Sequence, residues 1–214
     1  MKWLLIHGWQ WDPALDSLPK QWLPEEMDRL TLAINWGPFN KLRAAIAHVS
    51  ETNADLIAGA RKLGYPTICG HSHIPESQDI FRNCGSWCGT YQPHYVRFPK
   101  DKIAVISDLH IGAPEAKAYE PMLMAFLTFA KTQGWTIWSI GDTCDLWAHS
   151  EKDIGVSCGE VLTAIANYRD FHVIGGNHDN KLQSLGNLVG LPPPIPWYAF
   201  IDTDDKPELL GWPT

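Results

Sequence analysis

The chain has 214 residues, which is enough for one packed domain. Apolar residues make up 45% and charged residues 19%, so a disordered or low-complexity chain is excluded. The formal charge of −7 argues against a nucleic acid or an anionic membrane surface as the main partner. No apolar run approaches the roughly 20 residues that a membrane span needs, so we expect no transmembrane segment.

The first residues and the cysteines bear on the cellular compartment. The apolar stretch after Lys2 ends at His7, too early for the core of a secretory signal, so we expect a cytoplasmic protein. The five cysteines form no C-x-x-C pair, and their number is odd. We therefore predict reduced thiols that fill small apolar spaces, with a Cys84–Cys88 bridge as the alternative.

Short apolar runs alternate with helical patterns along the chain, and this alternation predicts an α/β architecture. Strands are predicted at Trp3–Ile6, Thr67–Cys69, Ile80–Asn83, His94–Phe98, Ile103–Ile106, Thr136–Ile140 and His172–Ile174. Helices are predicted at Asn40–Val49, Ala54–Leu63, Pro121–Lys131, Gly159–Tyr168 and Asn180–Leu188.

Side chains that can bind metal ions follow five of these strands, where α/β folds collect their sites. Carboxylates, imidazoles and an amide without a thiolate suit borderline divalent ions such as Mn, Fe, Zn or Ni. Two ions need about seven protein ligands, with one carboxylate shared between them. The candidates are His7, His71, His73, Asp108, His110, Asp142 and Asn177.

In two places, a single residue separates two candidate ligands: Asp108-Leu109-His110 and His71-Ser72-His73. On an extended segment, side chains two residues apart project to the same side. We therefore expect each pair to lie on extended backbone, where its two side chains can grip one ion.

Together these blocks resemble the signature of the calcineurin-like metallophosphoesterases. The blocks are His7-Gly8, Gly70-His71-Ser72-His73, Ile106-Ser107-Asp108-Leu109-His110, Gly141-Asp142-x-x-Asp145-Leu146-Trp147 and Gly176-Asn177-His178-Asp179. In addition, Asn83-x-Gly85-Ser86-Trp87 is similar to the branch that includes UDP-2,3-diacylglucosamine diphosphatases. The last residues, 181–214, carry no motif that we recognise.

The resemblance implies a sandwich of two sheets flanked by helices, and it implies a role for each ligand. The first ion is held by Asp108, His110 and His73, and the second by Asn177, His7 and His71, with Asp142 bridging the two. Mn²⁺ is the favoured ion, with Fe, Zn or Ni as alternatives. A hydroxide between the two ions then attacks phosphorus in line.

Three further residues receive roles from the same resemblance. His178 stabilises or protonates the leaving oxygen of the substrate, and is not a metal ligand. Asp179 orients the imidazole of His178, and Asp145 supports the site from outside.

The order of the blocks departs from that of the family. Residues 1–97, which resemble the usual C-terminal half, precede residues 101–214, which resemble the usual N-terminal half. We predict a circularly permuted single domain over residues 1–214, with Pro99–Lys102 as an ordinary strand connection. The segment Tyr198–Thr214 should lead back to Trp3–Ile6, which brings residues 1 and 214 together. The oligomeric state stays open between a monomer and a homodimer, including a swapped dimer.

The predicted function is metal-dependent hydrolysis of a small phosphoester substrate, either a phosphomonoester or a phosphodiester. One alternative is a UDP-2,3-diacylglucosamine-type diphosphatase, and a more remote one is a non-catalytic scaffold of the same fold. Four tryptophans fall in or beside the blocks, namely Trp9, Trp11, Trp87 and Trp147. They are interpreted as apolar lids over a core edge, with a stacking surface for the substrate as the alternative.

Overall fold

The computed structural model describes residues 1–8, 53–88, 92–179, 181–195 and 198–213. Its strands are β1 (Lys2–Ile6), β2 (Thr67–Cys69), β3 (Glu76–Gln78), β4 (Phe81–Asn83), β5 (His94–Phe98), β6 (Ile103–Ile106), β7 (Thr136–Ile140), β8 (Phe171–Ile174), β9 (Tyr198–Asp202) and β10 (Glu208–Gly211). Its helices are α1 (Ala54–Leu63), α2 (Pro114–Lys117), α3 (Glu120–Gln133), α4 (Glu151–Ser157), α5 (Gly159–Ala166) and α6 (Leu182–Val189).

The strands form two sheets of five. Sheet one has the order β3-β4-β2-β1-β9, and sheet two has the order β10-β5-β6-β7-β8. In sheet one, β1, β2 and β4 are parallel, and in sheet two β6, β7 and β8 are parallel. The parallel strands of each sheet therefore present their carboxyl ends at one edge, which is where ligand-type side chains can meet.

The two sheets pack face to face and helices cover their outer faces. Trp3, Leu5 and Ile68 of sheet one share a buried cluster with Val105 and Ile140 of sheet two. On the outer face of sheet one, Leu56 and Ala60 of α1 pack against Leu4, Ile6 and Phe81. A larger cluster joins sheet two to α3, α4, α5 and α6. The predicted α/β sandwich of two sheets flanked by helices is thus confirmed.

Most predicted elements agree with the structure in position and type. The strands Thr67–Cys69, His94–Phe98, Ile103–Ile106 and Thr136–Ile140 and the helix Ala54–Leu63 have the predicted bounds. Helix α3 begins at Glu120 and ends at Gln133, where Gly134 adopts a left-handed φ of 67° and caps the helix through its N–H. Strands β3, β9 and β10 and helices α2 and α4 were not predicted, and the predicted helix Asn40–Val49 lies outside the described residues.

The reversed block order requires β5 to be joined to β6 and the C-terminal segment to return to β1. Both requirements are met by ordinary antiparallel strand pairs. Strand β5 pairs with β6 in antiparallel fashion, with Phe98 opposite Ile103, so Pro99–Lys102 forms the turn of a hairpin. Strand β9 pairs with β1, with Asp202 opposite Lys2, and Thr203 N–H donates to Met1 O at 2.9 Å. The prediction that Tyr198–Thr214 leads back to Trp3–Ile6 is confirmed for β9, whereas β10 joins the other sheet. Residue 214 lies outside the described residues.

All five cysteines are free and buried, so the alternative of a Cys84–Cys88 bridge is wrong and the prediction of reduced thiols is confirmed. In the described ranges, none of the helices combines the length and the apolar character that crossing a bilayer requires.

Candidate metal centre

The seven candidate ligands lie in loops that directly follow β1, β2, β6, β7 and β8. Backbone hydrogen bonds tie these loops together beyond the ends of the strands. Asp108 N–H donates to Gly141 O at 3.1 Å, and His110 N–H donates to Asp142 O at 2.9 Å. Gly70 N–H donates to His7 O at 3.1 Å in the other sheet. The site is therefore built on strand ends of both sheets.

On one side of the site, His73 and His110 lie beside Asp108. His73 Nε2 is 3.1 Å from Asp108 Oδ1, and His110 Nε2 is 3.9 Å from the same oxygen. The two imidazoles approach each other to 3.3 Å between their Nε2 atoms. Asp108 is fully buried and His110 is nearly so. These are the three residues that the resemblance assigns to the first ion.

On the other side, His7 and His71 lie beside Asp142. His7 Nε2 is 3.2 Å from Asp142 Oδ2, and His71 Nδ1 is 3.3 Å from His7 Nε2. The same Oδ2 atom lies 3.8 Å from His110 Nε2 on the first side. The other oxygen of Asp142 accepts a hydrogen bond from His178 N–H at 2.8 Å, which fixes the carboxylate. Asp142 thus stands between the two groups of histidines.

The backbone at the ligand positions is left-handed. Five of the candidate ligands have positive φ, namely His71 (39°), His73 (59°), Asp108 (55°), His110 (44°) and Asp142 (50°). The expectation of extended backbone at the pairs Asp108/His110 and His71/His73 is therefore wrong. Residues other than glycine seldom adopt such φ values, and backbone strain of this kind concentrates at functional sites. In the described ranges, Lys102 is the one other such residue.

Two buried acceptor groups of the site lack a hydrogen-bond donor. Among the described residues, Asp108 Oδ2 and Asn177 Oδ1 accept no hydrogen bond, and Asp108 Oδ1 has His73 Nε2 beside it at 3.1 Å. A buried polar atom without a partner is costly, and a metal ion is a partner that satisfies it. In three groups of residues, the candidate ligand atoms of the group all lie within 4.8 Å of one another, so each group could hold an ion. They are His7–Asp108–Asp142, His110–Asp142–His178 and His73–Cys88–His110. The donor set fits divalent ions.

The protonation states of these side chains follow from burial and mutual charge. Burial alone would lower the pKa of His7, but the carboxylates of Asp142 and Asp108 raise it to about 9. Burial would raise the pKa of Asp142, but His7 and His178 hold it well below its usual range. Burial and the charge of His178 lower the pKa of His110 to about 4. The site therefore combines the ionised carboxylate of Asp142 with a protonated His7.

This arrangement predicts that metal binding depends on pH. A histidine binds metal as the neutral imidazole, so an ion must displace the proton of His7 at any pH below about 9. We expect the affinity for Mn²⁺ to rise from neutral pH to about pH 9, by about tenfold per pH unit for each proton released. Titration calorimetry at several pH values measures this slope. The slope should be shallower in His7→Gln, and an affinity independent of pH would contradict the prediction.

A carboxylate–imidazole pair stands at the mouth of the site. Asp145 Oδ1 lies 2.8 Å from Nδ1 of His178, and Nε2 of His178 lies 3.8 Å from Asp142 Oδ2. Trp147 stacks on the imidazole, with the ring centroids 4.1 Å apart. Burial would lower the pKa of His178, but Asp142 and Asp145 raise it. His178 can therefore carry a proton towards the site while Asp145 and Trp147 hold its ring.

The role assigned to Asp179 needs correction. Its carboxylate accepts hydrogen bonds from three backbone N–H groups, those of Thr143, Cys144 and Gly176, at 3.0–3.1 Å. These bonds turn it towards the backbone of the loops after β7 and β8. The residue that orients the imidazole of His178 is Asp145, and Asp179 holds the two loops together.

Glycine allows close packing between the loops that carry Asn177 and Asp142. A Cβ atom on Gly176 would lie 2.1 Å from Asp142 Oδ1 and 2.3 Å from its backbone nitrogen. The neighbouring Gly175 has nothing within 4 Å of the same position. The two glycines thus form a matched pair for substitution.

We expect Gly176→Ala to push Asp142 out of place, since the backbone of that loop must shift to accommodate the methyl group. The loss of stability should be about 1–3 kcal/mol, the usual cost of overpacking. Metal affinity should fall with it, while Gly175→Ala should leave both nearly unchanged. Chemical denaturation and metal titration of both variants measure these effects, and equal behaviour of the two would contradict the argument.

Polar side chains brace the loop that carries His71 and His73. Nδ2 of Asn83 lies 2.7 Å from each of three oxygens, Gly70 O, Ser72 Oγ and Asn53 Oδ1. Ser72 Oγ donates to Asn53 Oδ1 at 2.6 Å. Asn83 belongs to a block noted in the sequence, but no local signal in the sequence points to Asn53.

Of the four tryptophans near the blocks, one lies in the core, one borders the site and two lie outside the described residues. Trp87 is 1% exposed and packs on Phe126 in the core of sheet two, so it is a core residue and cannot stack on a substrate. Trp147 is half-buried beside His178 and borders the site. Trp9 and Trp11 lie outside the described residues.

The family model of the calcineurin-like phosphoesterases matches residues 101–213. The match covers more than half of the chain and includes Asp108, His110, Asp142, Asn177 and His178. The chain belongs to the calcineurin-like phosphoesterase family, whose members act on phosphoesters and typically bind divalent metal ions. No curated protein and no solved structure matches the chain.

Proposed function

We propose that this chain is a binuclear metal-dependent phosphoesterase that hydrolyses phosphomonoesters or phosphodiesters. The observation that carries the proposal is the position of Asp142 Oδ2, 3.2 Å from His7 on one side and 3.8 Å from His110 on the other. A single carboxylate oxygen between two sets of imidazoles suits a ligand shared by two ions. The family supports phosphoester hydrolysis in general.

In the proposed centre, Asp108, His110 and His73 hold the first ion and Asn177, His7 and His71 hold the second. When bound, the two ions would activate water and offset the charge that develops on the phosphoryl oxygens. The unsatisfied oxygens of Asp108 and Asn177 support their assignment as ligands. Imidazoles, carboxylates and an amide suit borderline divalent ions, of which Mn²⁺ is the favoured one and Fe, Zn or Ni are the alternatives.

We assign proton transfer to His178 and its orientation to Asp145. The half-buried ring of His178 is held by Asp145 at 2.8 Å and by stacking on Trp147. The carboxylates of Asp142 and Asp145 raise the pKa of His178, which favours the protonated ring, and Asp145 accepts the hydrogen bond from Nδ1. The proton on Nε2 is then available to the leaving oxygen of the substrate.

The two other candidate functions stay hypotheses. The diphosphatase alternative was suggested by Asn83-x-Gly85-Ser86-Trp87, and Trp87 in this block is buried in the core. The scaffold alternative would be expected to dispense with the imidazole that serves the leaving group, whereas His178 and all seven ligands are retained. Neither alternative is favoured by an observation among the described residues, and the cytoplasmic location likewise stays a prediction.

We further propose that the reversed block order is a circular permutation within one domain that spans residues 1–214. Each proposed ion takes ligands from both halves, since His73 joins Asp108 and His110 while His7 and His71 join Asn177. Both halves also contribute strands to both sheets, through the β9–β1 and β5–β6 pairs. These pairs allow one chain to close the site.

A substrate panel tests the proposed function. The purified protein is stripped with a chelator and assayed on nitrophenyl monoesters and diesters, cyclic nucleotides and nucleotide sugars, with Mn²⁺, Zn²⁺, Ni²⁺ and Mg²⁺ added singly. We expect no turnover without metal and restored hydrolysis of simple esters with Mn²⁺. Turnover restricted to nucleotide sugars would favour the diphosphatase, and no turnover with any metal would favour the scaffold.

A further inference from the structure

One cysteine lies among the side chains of the proposed first ion. The candidate ligand atoms of Cys88, His73 and His110 all lie within 4.8 Å of one another. Cys88 belongs to none of the blocks that resemble the family. In the described part of the chain, no other cysteine takes part in such a group, although Cys69, Cys84, Cys144 and Cys158 are also free and buried. The position of Cys88 is therefore different from that of a cysteine that only fills space.

The segment around Cys88 is fastened to the backbone of a proposed ligand. Trp87 N–H donates to Asp108 O at 3.1 Å, and Ser86 Oγ lies 3.0 Å from the same oxygen. Ser86 Oγ also accepts from Cys88 N–H at 3.0 Å and lies 3.3 Å from Cys88 Sγ. These contacts hold the segment that carries Cys88 against the backbone of Asp108.

Cys88 is buried among small apolar side chains. Cys88 packs against Ala113 and Ala116 at the start of α2 and is 8% exposed. Little of the residue is therefore exposed to water. An ion held by the imidazoles of His73 and His110 would lie within reach of the thiol, because the three ligand atoms are within 4.8 Å of one another.

We propose that Cys88 is an additional ligand of the ion at His73 and His110, and that its thiolate selects a softer ion such as Zn²⁺ at this position. The inference rests on the proposed metal centre. On binding, the sulfur–metal bond forms, the S–H bond breaks and the proton passes to solvent. Two imidazoles, a carboxylate and a thiolate are a donor set typical of zinc, whereas the second ion keeps only nitrogen and oxygen donors. The two positions would then differ in metal preference.

Cobalt substitution tests the sulfur ligand directly. Co²⁺ bound by a thiolate shows an intense sulfur-to-metal charge-transfer band in the near ultraviolet, which nitrogen and oxygen ligands do not produce. We expect this band in the wild-type protein loaded with Co²⁺, its loss in Cys88→Ser and Cys88→Ala, and its retention in Cys158→Ser. Circular dichroism of each variant verifies folding. The absorption spectrum of the Co²⁺-loaded wild-type protein is sufficient by itself to overturn the inference, because it requires no variant to fold.

The outcomes separate this inference from the proposed function. Visible d–d bands of bound Co²⁺ without the charge-transfer band would overturn the role of Cys88 and leave the metal centre intact. Failure of the wild-type protein to bind Co²⁺, Mn²⁺ or Zn²⁺ would overturn both. In competition titrations, Cys88→Ser should lower the preference for Zn²⁺ over Mn²⁺ by at least the roughly tenfold that loss of a supporting group costs. An unchanged preference would count against the proposed selection.

Discussion

Asp142→Ala is expected to abolish phosphoester hydrolysis, with a fall in kcat/KM of roughly 10³-fold or more, since a bound ion contributes several kcal/mol and 1.36 kcal/mol corresponds to tenfold. The substitution removes the oxygen that lies between His7 and His110, and it also removes the acceptor of the His178 N–H hydrogen bond. Both proposed ions lose a ligand, and their positive charge is left closer to uncompensated. Steady-state kinetics and metal analysis of the purified variant measure the effect.

Asp142→Asn serves as the near-isosteric companion, because it keeps the acceptor oxygen but removes the negative charge. Asp170→Ala is the control, since Asp170 lies exposed directly before β8 in the same half of the chain. We expect Asp142→Asn to be severely impaired and Asp170→Ala to resemble the wild-type protein. Full metal content and near-normal turnover in Asp142→Ala would rule out a shared carboxylate at this position.

His178→Ala is expected to lower kcat by roughly 10²-fold or more on substrates with poor leaving groups, which is the usual contribution of a positioned acid. Nitrophenyl esters should suffer much less, because their leaving oxygen needs little protonation. Metal stoichiometry should be retained, since His178 is proposed as a proton donor and not as a ligand. Kinetics on a pair of esters with unequal leaving groups, together with metal analysis, separates these roles.

Two further variants make the His178 experiment specific. Asp145→Asn should also lower kcat, but by less than His178→Ala does. The imidazole of His178 loses its carboxylate partner at 2.8 Å and keeps its stacking on Trp147. His172→Ala is the matched control, since His172 lies in β8 and stacks on Trp138 instead. Loss of an ion in His178→Ala would make His178 a ligand, as its place in the group with His110 and Asp142 allows.

Much of the fold follows from local patterns in the sequence. The parallel strands β2, β6 and β7 are short β-branched runs bounded by turn residues, and such runs could be predicted with their bounds. Strand β9 could not, because its only described partner is β1, whose residues lie almost the whole chain length away. The single-turn helix α2 is too short for a periodicity to define, and β3 is the polar run Glu76–Gln78, which contains no apolar residue.

The composition of the site could be predicted better than its geometry. Ligand-type residues after each parallel strand indicate where the side chains meet, because parallel strands share one edge. Left-handed backbone at Asp108 and His71 could not be predicted, since most residues other than glycine disfavour it and only the surrounding loops enforce it. The exchange of roles between Asp145 and Asp179 has a similar cause, because the path of the loops decides which carboxylate reaches His178.

Residues that act through long-range contacts gave no signal at all. Asn53 reaches Ser72 and Asn83 across gaps of 19 and 30 positions, and no motif links the three. Cys88 looked like one of several small apolar fillers, and only the folded chain brings it next to His73 and His110.

Diffraction from crystals soaked in Mn²⁺ tests the proposed metal centre most directly, since anomalous scattering locates the ions independently of the protein model. We predict two peaks per chain, one on each side of Asp142. The first should contact Asp108, His110 and His73, and the second Asn177, His7 and His71, all from the same chain. A single peak, no peak, or a site whose ligands come from two chains would contradict the closed two-metal centre.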